Sequence, residues 1–140
     1  MGTCDPRQVE LLSKIREGVD NAISAVGEIE GRLLACSKLL RIDQRGETFT
    51  ALALEISNLG DLVELVREIK KGSDLLASRP LEAGAFDSWE KSIGLFRDML
   101  TAFEGKDWIV LADLIQYELS PILAQGEKDL AAVRDRLASQ

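Results

Sequence analysis

The sequence predicts an all-α protein, an antiparallel four-helix bundle with long first and last helices, and three observations carry that expectation. Leu12, Val19, Val26, Leu33 and Leu40 recur every seven residues, the spacing that lays one seam of a helix along a neighbour. Prolines number only 3 and aromatics make up 5% of the chain, so Leu, Ile, Val and Ala have to fill the core. Polar breaks bearing Gly or Pro, around residues 41–47, 73–86 and 105–107, divide the apolar pattern into four runs. One domain over residues 1–140 follows, with helices at about 6–40, 48–71, 88–104 and 108–137.

The first helix opens at Asp5-Pro6-Arg7-Gln8, read as an N-cap, a proline at the first helical position and a Gln closing a capping box. Ile15, Ala22, Ile29 and Cys36 form its second seam line, while Leu11, Ala25 and Leu39 on one flank and Ile23 on the other widen the stripe. A stripe that wide favours a bundle over a two-stranded coiled coil. Gly18, Gly27 and Gly31 lower local helix propensity by up to about 1 kcal/mol each, so the helix leans on its neighbours and these positions allow close approach. The segment RIDQRGE makes the first turn, with Thr48 expected to cap the second helix.

In the second helix Phe49, Ile56 and Val63 make one line and Leu52, Leu59 and Val66 the other, broadened by Leu62 and Ile69. Lys70, Lys71 and Gly72 read as its end. Ser73 to Phe86, carrying Pro80 and Gly84, is expected as a flexible loop. Asp87-Ser88-Trp89-Glu90 reads as a second capping box, followed by Trp89, Ile93, Phe96, Leu100 and Phe103 as the buried line of the third helix. Gly105 closes that helix and Asp107 caps the fourth, a tight antiparallel hairpin with Trp89, Phe96, Phe103 and Trp108 as its heavy packing residues.

The fourth helix contains the most unusual stretch, DWIVLADLIQYELSPIL. Trp108, Ala112, Ile115, Leu119 and Ile122 read as its seam, after which the pattern steps to Leu130, Val133 and Leu137. Pro121 near that step predicts a kink, because proline removes a hydrogen bond and clashes with the carbonyl four residues back. Gly126 is expected to loosen the next turn, so that the final third docks at a different angle. Glu118 falls beside the seam and should border the core, with Arg32 or Arg97 as its counter-ion. Asp113, Tyr117, Glu118 and Pro121 are what packing leaves unexplained, and they are the candidate partner-binding residues.

Composition excludes several functions. Net charge is −7, and from Leu81 onward 11 acids face 6 bases. With no basic stripe to neutralise phosphates, neither nucleic acid nor an anionic membrane is an expected partner. The longest apolar run, WIVLADLI, is broken by Asp113 and is too short to span a bilayer. MGTCDPRQVE lacks the basic-then-apolar order of a secretory signal, so a cytoplasmic location is expected. The chain has 0 histidines, which removes Ser-His and Cys-His nucleophilic catalysis and the His ligands of di-iron bundles. Cys4 and Cys36 would stand about 48 Å apart along one helix, too far for a disulfide, and Cys36 reads as a small core residue. Glu17-x-x-Asp20 and Asp61-x-x-Glu64 have the spacing of magnesium-binding pairs in all-helical nucleotide hydrolases, yet they fall on outward positions of separate helices. No catalytic residue, metal or cofactor is expected.

Asp107-Trp108, Ala112-Asp113 and Tyr117-Glu118-Leu119-x-Pro121 together resemble the pattern of a family of small uncharacterised bacterial helical proteins, through a motif A-D-x-x-x-Y-E-L-x-P. In acidity, size, helical build and hinged last helix the chain also resembles, as a class, the flagellar export chaperones, which hold secretion substrates in a helical groove. The function these readings imply is a non-enzymatic interaction module that docks a partner helix beside the last helix, with the segment after Pro121 moving to admit it. Self-association into a homodimer through the wide heptad faces is the alternative reading, and a metal-dependent nucleotide hydrolase the third.

Overall fold

The computed structural model describes residues 6–76, 81 and 84–138, and every element among them is helical. They are α1 (Pro6–Ile42), α2 (Gly46–Asp74), α3 (Asp87–Glu104), α4 (Trp108–Asp113), a π-helical turn (Leu114–Leu119) and α5 (Ser120–Ala138). The last three run on without a break, so the described residues form four helices. Asp5, Cys4 and Pro80, on which the first cap, the cysteine pair and part of the expected loop rest, lie outside the described residues.

The heptad reading of α1, a helix of 37 residues, holds from Ile15 to Leu40, with Leu12 half-buried before it. Ile15, Val19, Ala22, Val26, Ile29, Leu33, Cys36 and Leu40 are all buried, while Leu39, assigned to a flank, is 45% exposed. Helices α1 and α2 meet where Ile15 and Ile69 cover glycines: a methyl on Gly72 would lie 3.1 Å from Ile15 Cγ1, and one on Gly18 would lie 3.3 Å from Ile69 Cγ1. Gly72 is therefore a contact residue inside α2, not its terminator. The helix runs on to Asp74, where Ser73 is buried with its hydroxyl returned to the Ile69 carbonyl at 2.8 Å. Gln8 donates to the Leu75 carbonyl at 3.3 Å, tying the start of α1 to the end of α2.

Three expected caps are corrected. Helix α2 starts at Gly46 with Arg45 as N-cap residue, and Thr48 is buried in the first turn. Helix α3 starts at Asp87 without a side-chain cap; Gly84, at φ +85°, lets the Gly84 carbonyl accept from Asp87 N–H, and Glu90 pairs with Lys70 at 3.0 Å. Asp107 does occupy the N-cap position of α4, but its side chain makes no capping bond.

In α3 the fully buried line is Trp89, Ser92, Leu95, Met99 and Ala102, one residue ahead of the expected line for most of its length. Ile93, Phe96, Leu100 and Phe103 pack half-buried beside it. Ser92 and Ala102 are the small members of the inner line, between and beyond the large Trp89, Leu95 and Met99. The four aromatics do not form one cluster. Phe96 covers Gly60 of α2, and Trp89 lies on Gly126 of α5, donating from Nε1 to the Gly126 carbonyl at 3.0 Å. Trp108 stacks on Phe49 at 4.4 Å and meets Phe103 edge-on at 5.6 Å.

Gly126, expected to loosen its turn, is a packing position. Leu123, Leu130, Val133 and Leu137 of α5 are each no more than 3% exposed, and a methyl on Gly126 would come within 2.8 Å of the Trp89 ring. At about 1.5–3 kcal/mol per buried side chain, lifting this segment would strip several kcal/mol from the core. Gly126 is where α3 clasps α5.

Candidate functional site

The turn between α3 and α4 sets the register of the fourth helix. Gly105 ends α3, but the left-handed residue is Lys106 at φ 58°. Lys106 N–H reaches the Phe103 carbonyl and Asp107 N–H the Ala102 carbonyl, at 3.2 and 2.9 Å, the paired bonds of a Schellman motif. With Trp108 wedged between Phe49 and Phe103, α4 enters with Leu111 and Ala112 buried and Ile109 and Val110 outside, 53% and 51% exposed.

From Leu111 the buried positions are Leu111, Ala112, Ile115, Leu119 and Leu123, and the line of large side chains, Leu111, Ile115, Leu119 and Leu123, steps by four. In an α-helix a step of four overshoots one turn by about 40°, so three steps would carry Leu123 about 120° off the line of Leu111. The π-turn removes that drift. Ser120 N–H bonds the Ile115 carbonyl, five residues back, the wider ring of a π-helix. Beyond it Leu123, Gly126, Leu130, Val133 and Leu137 are buried at regular four- and three-residue spacing.

The step in the apolar pattern is thus absorbed before Pro121, by one extra residue in a turn. Pro121 follows directly on the π-turn inside this continuous helix, and its missing N–H interrupts the backbone ladder there. Glu118 follows from the same geometry: seven residues after Leu111, a straight α-helix would place it only about 20° from the Leu111 line. The π-turn brings Leu119 inward, 1% exposed, and leaves Glu118 exposed. Glu118 does not border the core, and Arg32 instead lies against Glu28 and Glu55 on the opposite side of α1.

Asp113, Tyr117 and Pro121, four residues apart, are all exposed, with Glu118 beside them. Tyr117 is 65% exposed, the most open of the large hydrophobics on this helix. Asp113 is held by Arg41 of α1 at 2.6 Å, and the same guanidinium donates to Gln116 Oε1 at 3.1 Å. Ser120 donates to Glu30 Oε1 at 3.1 Å. Both ends of the π-turn are therefore tied to α1, while Tyr117 and Glu118 between them point outward.

A second polar site was missed in the sequence. Glu55 is 7% exposed between α1 and α2; Asn58 donates to it at 3.3 Å and Arg32 stands 3.8 Å away. Burial, and then the Glu55 charge, push the Cys36 thiol above its ordinary range, which keeps it protonated and unreactive near neutrality. An open groove of about 340 Å³ is lined by Arg32 and Asn58 together with Glu28 and Asp61. The signal was legible: Thr48, Glu55, Leu62 and Ile69 are spaced by seven and all buried. Glu17, Asp20, Asp61 and Glu64 are exposed, and no group of three or more His, Cys, Asp or Glu side chains among the described residues could hold a metal ion. No helix among them is long and apolar enough to cross a membrane.

A family model described as Domain of unknown function (DUF8042) matches residues 17–128, most of the chain. No curated protein and no solved structure matches. The chain belongs to the DUF8042 family.

Proposed function

We propose that this DUF8042 member is a non-enzymatic interaction module: an antiparallel four-helix bundle, with long first and last helices, that receives a partner helix on the outer face of the last one. The contacts of Ile15 with Gly72 and Gly18 with Ile69, and the bonds of Arg41 to Asp113 and Glu30 to Ser120, support the antiparallel arrangement. The observation that carries the function is the π-turn. A helix whose inner face is fully packed spends an extra residue there, and the result is an exposed row of Asp113, Tyr117 and Pro121 with Glu118 at its side. π-Turns inside α-helices concentrate at functional positions. Docking occurs on a fixed helix, with α5 held in the core. As in the class of export chaperones, the module would act by holding another protein, in the cytoplasm.

Affinity capture with the intact chain as bait tests this. Proteins retained by the wild type are expected to be lost with the Tyr117→Ala/Glu118→Ala double variant while its circular dichroism is unchanged. An identical set retained by both baits contradicts the assignment of the face.

A further inference from the structure

We propose that this face recognises a cationic amphipathic segment of another protein, a refinement that rests on the interaction reading above. The stretch from Asp107 to Glu127 contains four acids and no Lys or Arg. On its surface stand Ile109 and Val110, about half exposed, and Tyr117, 65% exposed. Apolar area and negative charge therefore occur together on one helix, and of its acids Asp113 is paired with Arg41 while Glu118 is not. Glu118 is the centre of that charge: it is exposed, makes no ion pair among the described residues, and lies within the π-turn beside Tyr117. An exposed carboxylate left unpaired beside an exposed tyrosine is placed to meet a cation.

The molecule already contains the kind of contact required. One turn earlier, the Arg41 guanidinium crosses from α1 to bond both Asp113 and Gln116. Arg41 satisfies Asp113, and nothing on α1 does the same for Glu118. An incoming helix with Lys or Arg on one side and aliphatic residues on the other would pair with Glu118 and cover Val110 and Tyr117. A second copy of this chain is a poor occupant, because its own face would bring acids to acids at a net charge of −7 per copy.

The test titrates the intact protein into a labelled synthetic helical peptide of Leu and Lys, leucines at i, i+3, i+4 and i+7, and into the same peptide with Glu in place of Lys. Binding is read by fluorescence anisotropy, with circular dichroism confirming the fold of each variant. The Lys peptide is expected to bind and the Glu peptide not to bind, with affinity falling as salt rises. Glu118→Lys should weaken the Lys peptide by about tenfold or more, and Glu118→Gln by less. Glu17→Lys, the same charge change on an exposed site of α1, should have a small effect. Equal weakening by Glu17→Lys and Glu118→Lys would mean diffuse attraction and overturns the proposal. Equal binding of both peptides, lost with Tyr117→Ala but indifferent to Glu118→Lys, also overturns it while leaving the docking face in place.

Discussion

The first and last helices solve the same packing problem in different ways. Helix α1 keeps one heptad phase from Ile15 to Leu40, and each of its seam residues is buried without any change of backbone. The last helix carries two phases: Leu111, Ile115 and Leu119 before Pro121 are continued by Leu123, Gly126, Leu130, Val133 and Leu137, and one wide turn joins them. In α1 sequence period and helix period agree. In the last helix they disagree by one residue, and that residue is carried outward, where Tyr117 and Glu118 are displayed. The backbone irregularity here falls where the seam changes phase.

The largest effects should come from the seam lines, and they test whether the π-turn packs as firmly as α1. Leu33→Ala in α1 and Leu119→Ala in the π-turn, both 1% exposed, should each cost about 2–5 kcal/mol in urea unfolding. A much smaller cost for Leu119 would mean that the wide turn collapses readily onto the cavity, and would break the comparison. Lys106→Gly comes next. It removes the steric cost of a left-handed non-glycine residue at the entrance to the last helix, and should stabilise by about 1 kcal/mol. No gain would mean that the Schellman turn relaxes without strain.

The helices themselves, their order and most of α1 and α2 were legible because a period of seven is a global signal that survives local errors. Caps were not. Thr48, Glu90 and Asp107 have the right chemistry at nearly the right place, but Thr48 is drawn into the core, Glu90 takes Lys70 as its partner, and the Asp107 side chain makes no cap bond. Gly72 and Gly126 read as breaks, whereas Ile15 and Trp89 use them for contact, a role that depends on the partner helix and leaves no mark in the local sequence. The candidate face was legible as the set of residues that packing did not explain. Its mechanism was not, since the phase step was assigned to a proline kink. The four-residue spacing of Leu111, Ile115, Leu119 and Leu123 was the sign of a wide turn, and choosing Trp108 and Ile122 for the seam hid it.

The central claim, that the π-turn is one residue inserted into a helix otherwise able to pack straight, is tested most directly by the thermal midpoints of two single-residue deletions. Removing Tyr117 should close the turn to an α-helix, keep Leu111, Ile115 and the leucines beyond on one line, and leave a cooperative transition within a few degrees of the wild type. Removing Ser24, an exposed residue in the unbroken phase of α1, should rotate one half of that seam by about 100° against the other and abolish cooperative unfolding. Comparable collapse of both deletion variants would contradict the account, because the extra residue would then be part of the packing itself.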